Sequence, residues 1–468
     1  MGRHTIEKIG GTSMSQFGQV MANVIIAGRT GDDLYNRGFV VSAYGGITDL
    51  LLEHKKSGQP GVYRLYAAND GAWNDALSHV ADRMCGINAS FADLGLDVTD
   101  ANRFVRERIE GIRNCLRDLR KLSSYGHFQL SEQLPAVREM LAAVGEAHSA
   151  YNATRILQAH GVNALFVDLT GWMEEENLPF DQEIRKTFGE IDFAVYMPII
   201  TGYTKCAEGI MTTFDRGYSE ITFSKIAVLT GAREAIIHKE YHLCSGDPKL
   251  VGEDKVKVIG NTNYDVADQL ADMGMEAIHP RASKPLEYAN IPLRVKNAFD
   301  PEHPGTVITK DFRSEAPRVE MITGRRKMVA IDLWDPDMVG QSGYDYRVVA
   351  HLAKHGISYI GKNTNANTIS HYVPRDVKGL DACVADLKAT FPNAIVSTLP
   401  ITLISAIGSN MKVPGFLSKA ANALAAEGIN ILAIGQTVRQ VNMQFVVADE
   451  DFEKAIRALH RGLVESVK

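Results

Sequence analysis

The stretch "EKIGGTSM" sets Lys8 two residues ahead of the pair Gly10 and Gly11, at the end of the first apolar run of the chain. A glycine pair lets backbone N–H groups approach an anion closely, because no Cβ intervenes and positive φ costs little. With a lysine beside it the stretch has the chemistry of a phosphate cradle, although a tight surface turn has the same composition. Two familiar glycine loops do not fit. A Walker A loop carries its lysine after the second glycine and before Ser or Thr, and the dinucleotide fingerprint needs G-x-G-x-x-G, which "GGTSMSQFG" lacks. "HKEYH" sets His238 and His242 four apart, but it reads as strand and loop and lacks a Glu beside the first His. No metal site is expected there.

The elements that must position Lys8 read as a sheet. "FVVSAYGG" at Phe39, "NALFVDLTG" at Asn163, "AVYMPIITGY" at Ala194 and "EAIIHKEY" at Glu234 each have the pattern of a buried strand, and amphipathic stretches such as the one from Gln133 lie between them. Strands alternating with helices over about 300 residues imply a mostly parallel, three-layer α/β sheet. Sites in such sheets sit at the carboxyl ends of the strands. "KIGGTS", "VVSAYGGITD" and "IITGYTKCAEG" would therefore converge on one edge.

Composition narrows the function classes. A chain of 468 residues, 45% of them hydrophobic, has room for about three domains with substantial cores. A formal net charge of −6 gives no basic field for nucleic acid. The five cysteines (Cys85, Cys115, Cys206, Cys244, Cys383) are scattered without a C-x-x-C, which suits a reducing cytoplasm rather than a disulfide framework or zinc ribbon. No signal-peptide pattern and no long apolar window is present, so neither export nor a membrane partner is expected.

After "AFDPEHPGTVI" the pattern changes, and "LAKHGISYI" (Leu352 to Ile360) recurs as "LAAEGINIL" (Leu424 to Leu432). In each copy a helix with apolar residues at i, i+4 and i+8 (Tyr344, Val348, Leu352; Phe416, Ala420, Leu424) ends at a glycine. A strand, a polar loop, a second strand ("TISHYV" or "NMQFVV") and a final helix follow. The β-α-β-β-α-β pattern fits two ferredoxin-like units of about 70 residues each. The span "RSEAPRV" (Arg313 to Val319) just before them reads as a solvated linker.

Taken in order, these segments resemble the aspartate kinases. "EKIGGTSM" is similar to the family's K-F-G-G-T-S, "VVSAYGGITDLL" to S-A-x-x-G-I-T, "AVGEAHSA" to its H-G-E segment, "FDRGYSEITFSKIA" to its G-R-G-G-S-D helix start, and "HKEYHLCSGDPKLV" to its nucleotide-side loop. The wording "EKIGGTSM", "SYGHFQLSE" and "GMEAIHPRA" most resembles the aspartokinases associated with ectoine biosynthesis. The resemblance implies a carbamate-kinase-like, three-layer αβα amino-acid-kinase domain over residues 1–310. It implies two ferredoxin-like ACT domains over 325–397 and 398–468, with a strand from 306–324 as a candidate addition to the second.

The implied activity is ATP-dependent phosphorylation of the L-aspartate side-chain carboxylate to 4-phospho-L-aspartate, opening aspartate-family amino acid or ectoine biosynthesis. Making an acyl phosphate brings two anions together in line, which needs preorganised cations and backbone donors. By resemblance Lys8 contacts the moving phosphoryl group, Glu220 is its catalytic partner, and Gly10, Gly11 and Ser13 cradle phosphates. Lys239, Glu240, Asp247, Pro248 and Lys249 line the nucleotide side, and Mg²⁺ arrives on the ATP. Aspartate carries an ammonium and two carboxylates. Arg216 would grip the α-carboxylate, Glu146 the ammonium, and Ser42, Thr48 and Ser219 would surround the rest. The expected partners are L-aspartate, MgATP, an amino-acid effector and a second copy paired through the ACT domains.

Three residues depart from the family pattern: Glu220 for its aspartate, Tyr218 for a glycine, and Glu276 in "MGMEAIHP" for a lysine. The last removes a nucleotide-side cation, with Lys239, Arg281 and Lys284 as candidate substitutes. The alternatives are a non-catalytic amino-acid sensor with a kinase-like fold, or a kinase for another acidic amino acid.

Overall fold

The computed structural model describes residues 2–214, 217–275 and 278–466. They form two compact units, Met1–His242 with Ile278–Thr309, and Leu243–Ala277 with Lys310–Lys468.

In the first unit β1 (Thr5–Ile9), β2 (Arg37–Val41), β3 (Ala164–Val167), β4 (Met197–Thr201), β5 (Glu234–Lys239), β6 (Leu293–Asn297) and β7 (Thr306–Thr309) lie in the order β3-β4-β2-β1-β5-β6-β7. All neighbours run parallel except β6 and β7. Every residue of β1 is buried, so both faces of the sheet are covered. The strand order turns around at β1, and the loops beside such a switch point form the crevice of a doubly wound sheet. Register makes this concrete: Ile9 lies level with Val41 and His238, and Val41 with Thr201. Gly10, Ser42 and Gly202 therefore leave the sheet side by side, level with Lys239, the last residue of β5.

The helices used below are α1 (Gly11–Met14), α2 (Ile47–Leu51), α3 (Val98–Ser123), α4 (Leu130–Ala159), α5 (Ile210–Phe214) and α6 (Tyr218–Leu229). Residues 141–150 of α4 are all buried. Its Ala, Gly and Ser residues let neighbours enclose the helix all round, which puts Glu146 in the interior. Successive residues of a strand face opposite ways, so Glu7 points away from Lys8. Arg37 holds Glu7 through bonds of 2.7 and 3.1 Å, and His238 adds one of 2.7 Å. Burial pushes the Glu7 carboxyl up, but Arg37 and His238 more than offset it and hold it below the usual range. His242 pairs instead with Asp300 at 2.9 Å, so the two histidines of "HKEYH" serve different carboxylates.

The second unit contains α7 (Pro248–Val251), β8 (Met321–Trp334), α8 (Tyr344–Lys354), β9 (Gly361–Thr364), β10 (Thr368–Pro374), α9 (Leu380–Thr390), β11 (Ile395–Ile407), α10 (Phe416–Ala426), β12 (Ala433–Gln436), β13 (Asn442–Ala448) and α11 (Phe452–His460). Its strands form an antiparallel sheet in the order β9-β10-β8-β11-β13-β12. The apolar i, i+4, i+8 residues of α8 and α10 are buried, and each helix stops just before a glycine at positive φ, Gly356 or Gly428. The repeats have separate cores, one including Val329, Val348, Leu387 and Val396, the other Ile322, Ile404, Leu424 and Leu459. They share their long strands. β8 and β11, of 14 and 13 residues, run through both halves and shift register between Ile401 and Leu403, opposite Lys327 at φ 56°.

Residues 313–319 are not a free linker as their polarity suggests. Arg313 donates to Asn410 (2.7 Å), the Ser314 N–H to Ser409 (3.0 Å), and Val319 enters the second core. The polar side chains find partners in the turn at 409–410 rather than water alone. Leu250, Val251 and Val256 pack into the same core, so a kinase fragment cut after residue 310 loses the surface that covers them. That fragment is expected to aggregate on a sizing column. A soluble, fully active dimer of residues 1–310 would contradict this. Among the described residues no helix is long and apolar enough to cross a membrane.

Candidate active site

The crevice at the end of β1 gathers charges of both signs. Lys8 Nζ lies 3.9 Å and Lys239 Nζ 3.8 Å from the same oxygen, Oε1 of Glu220. The other Glu220 oxygen accepts the His279 N–H at 2.6 Å. Lys8 is 9% exposed, and burial pulls its ammonium below the ordinary lysine range, with Glu220 opposing and Lys239 reinforcing the shift. Two converging, partly desolvated ammonium groups are suited to an oxyanion that enters between them.

Register explains the pairing: Lys8 is the last residue but one of β1 and Lys239 the last of the adjacent parallel β5, one residue past His238, the partner of Ile9. Of the three candidate substitutes for the missing family cation, Lys239 is the one that shares a carboxylate with Lys8. Arg281 instead donates to the Thr213 carbonyl at 2.7 Å, and Lys284 pairs with Glu287 at 2.9 Å. Glu276 and Arg216 lie outside the described residues.

Glu146 forms the opposite pole. It is 2% exposed, and its Oε2 is buried with no hydrogen-bond partner among the described residues. Burial raises its pKa well above the ordinary glutamate value, against the opposing influence of Lys8, the backbone N–H groups of Tyr203 and Ala43, and the Tyr218 phenol. An ionised carboxylate here would be costly without a cation beside it, so the site suits an entering ammonium that lets Glu146 give up its proton. Two glycines keep the surroundings tight: a Cβ at Gly202 would lie 2.9 Å from Glu146 Oε2, and one at Gly145 2.8 Å from Ala43 Cβ. Beside it Ser42 and Ser219 join their hydroxyls at 3.2 Å, and Ser149 donates to the Ser42 carbonyl. Thr48 is half-buried on α2, whose Ile47 packs on Gly145.

A pH dependence follows. In the window above 4.5 opened by the raised pKa, the free enzyme holds a proton on Glu146 that an incoming ammonium must displace. Ammonium-bearing substrate should therefore bind more tightly as pH rises through that window and should release a proton on binding. Calorimetric titration in buffers of different ionisation enthalpy reads this directly; proton uptake, or affinity falling with pH, would contradict it. The sign for stability is opposite. Without substrate the fold binds this proton more tightly than the unfolded chain does, so its contribution declines as pH rises through the folded pKa.

On the nucleotide side, Ser13 donates its N–H and hydroxyl to Glu240 at 3.1 and 2.8 Å, so these two candidates satisfy one another and fix α1. The glycines differ. A Cβ on Gly11 would lie 2.4 Å from the Ala43 carbonyl oxygen, while one on Gly10 would stand 3.8 Å from both Lys8 Nζ and Glu240 Oε1. Gly11→Ala is expected to cost about 1–3 kcal/mol of stability, whereas Gly10→Ala should leave the melting temperature unchanged and raise the ATP KM. Paired thermal melts and kinetics check this, and equal destabilisation by the two would refute it. Asp247, Pro248 and Lys249 belong to the second unit, where the Asp247 side chain caps α7 by accepting the Lys249 N–H at 2.9 Å.

Sequence reasoning missed Tyr203 and His279, and noted Tyr218 only as a departure from the family glycine. Tyr203 directly follows the "TG" that ends β4, so its place at the strand terminus was the available signal.

Comparison with known proteins shows the family. Residues 4–297 match the amino acid kinase family and residues 404–463 the ACT domain. "Aspartate kinase Ask_Ect" of Stutzerimonas stutzeri (strain A1501) is 52% identical over 464 residues, spanning 99% of this chain and 98% of that protein. The chloroplastic aspartokinase 3 of Arabidopsis thaliana is 29% identical over 60% of this chain and 52% of its own. Among solved structures, Clostridium acetobutylicum aspartate kinase superposes with a TM-score of 0.75 at 21% identity, covering 98% of this chain and 100% of that one. E. coli aspartokinase III in complex with aspartate and ADP gives 0.71 at 22% identity, covering 98% and 99%. The two solved structures establish likeness of fold. With residues 4–297, more than half of the chain, matched by the family model and a relative sharing half its residues over nearly full length, the chain belongs to the amino acid kinase family and, within it, to the aspartate kinases.

Proposed function

We propose that the chain transfers the terminal phosphoryl group of MgATP to the side-chain carboxylate of L-aspartate, giving 4-phospho-L-aspartate. The observation that carries the reading is the pairing of sockets at one sheet edge: two lysines converging on Glu220, and beside them the buried, half-satisfied Glu146. The lysines suit a phosphoryl group and its acceptor carboxylate; Glu146 suits the ammonium of an amino acid. The Ser42 and Ser219 hydroxyls can donate to the substrate carboxylates, with Arg216 and Thr48 assigned there by family position. Catalysis is then mainly positioning and charge stabilisation: Lys8 and Lys239 offset the repulsion between donor and acceptor, and charge builds where they point.

Mg²⁺ would neutralise phosphate charge. Both Glu220 oxygens have protein partners, and the described residues contain no group of three or more His, Cys, Asp or Glu able to hold a metal, so we assign the ion to the nucleotide.

Incubation with ATP, Mg²⁺ and aspartate, trapped with hydroxylamine, should yield aspartyl hydroxamate. No hydroxamate would favour the sensor reading, and a preference for glutamate would favour another acidic amino acid. We further assign the product to the start of aspartate-family biosynthesis, with ectoine the branch implied by the resemblance. The ACT-type repeats would bind an amino-acid effector and pair two chains. Trp334 and Ile395, opposite each other on β8 and β11 and 39% and 61% exposed, give that sheet an apolar surface for such pairing.

A further inference from the structure

Glu139 stands on α4 seven residues before Glu146, two turns away on the same face. Its carboxylate grips the loop after β4 at both ends. Oε2 accepts the Tyr203 hydroxyl at 2.6 Å, and Oε1 accepts the N–H groups of Met211 and Thr212, at the start of α5, at 2.7 and 3.2 Å. Tyr203 thereby lies between the two acids: its hydroxyl is donated to Glu139, its backbone N–H is among the groups that hold down the Glu146 pKa, and a Cβ on Gly202 just before it would lie 2.9 Å from Glu146 Oε2. Its ring also meets that of Tyr218, the phenol that reaches Glu146, edge to face at 5.7 Å.

Tyr203, Lys205, Cys206, Gly209 and Thr212 border a cavity of about 780 Å³, so one side of this loop faces open space while Tyr203, Thr204 and Cys206 are buried. Burial, reinforced by Glu139, pushes the Tyr203 hydroxyl far above its ordinary range, and it remains a donor at any working pH.

We propose that Glu139 is a positioning residue for the amino-acid substrate: by clamping residues 203–212 to α4 it sets Tyr203 against Glu146. The proposal rests on the reading of Glu146 as the ammonium site. It touches the amino-acid pole alone, so its loss should separate the two substrates. In the full-length chain, Tyr203→Phe and Glu139→Ala should each raise the aspartate KM about tenfold, the scale of a lost hydrogen bond to a charged group, with the ATP KM within about twofold of the parent. The double variant should be little worse than the more severe single one, because both break the same clamp. Glu139→Gln, which keeps an acceptor oxygen for the α5 N–H groups, should fall between Glu139→Ala and the parent.

An aspartate KM within about twofold of the parent in both Tyr203→Phe and Glu139→Ala, or aspartate and ATP KM rising in step, would overturn the proposal. Tyr203→Phe removes one oxygen and keeps the ring, so it tests the clamp even if Glu139→Ala folds poorly. Failure of the underlying kinase reading is seen separately, as a parent chain that forms no hydroxamate.

Discussion

Lys8→Met should lower kcat by at least about a hundredfold, the usual scale for one charged donor removed from a preorganised site. The substitution keeps most of the apolar stem, which is enclosed at the end of a fully buried strand, and deletes the ammonium 3.9 Å from Glu220. Burial already works against that ammonium, so its removal should change the melting temperature little. Glu220 retains Lys239 and the His279 N–H, so the site stays assembled while the cation facing the phosphoryl group is gone. Lys239→Met makes the complementary test of the substitute cation: it should act in the same direction, whereas Lys284→Met, in a residue paired with Glu287, should matter little. A Lys8→Met enzyme with kcat within threefold of the parent would remove the proposed role.

The second large effect belongs to Glu146. Glu146→Gln keeps shape and volume but cannot carry the charge that an ammonium requires. The aspartate KM should rise by roughly 10- to 100-fold, the value of a hydrogen bond to a charged group, with a much smaller change for ATP. The same variant should abolish the proton release on substrate binding, since the group whose pKa burial raises has gone. Equal changes for both substrates would break the link between this carboxylate and the amino acid.

Much of this site was legible because it is built from strand ends. β-branched runs that stop at "KIGG", "VVSA" and "ITG" say where a parallel sheet opens, and the parallel register of β1, β2, β4 and β5 places those stops together. Glu146 was legible only through a family motif; its local pattern is that of any charged helix residue. Lys239 could not be told from Arg281 and Lys284, because the choice depends on which strand lies beside β1. Tyr203 and Glu139 escaped for the same reason: they are 64 residues apart, and their contact exists only once α4 and the loop after β4 have packed. The polar span at 313–319 misled because its partners at Ser409 and Asn410 lie almost a hundred residues away. Periodicity marks two repeats, yet nothing in a repeat says whether its copies own their strands or hold them in common.

They hold β8 and β11 in common. Each of these strands crosses from one core to the other without a break in the chain, with Lys327 in a left-handed turn of backbone at the crossing. The repeats are thus like two arches cut from one pair of beams. Neither can be excised without cutting its sheet, and a tilt imposed on either end of a beam has an unbroken backbone along which to reach the far arch, with the register shift at Ile401 to Leu403 as its one bend.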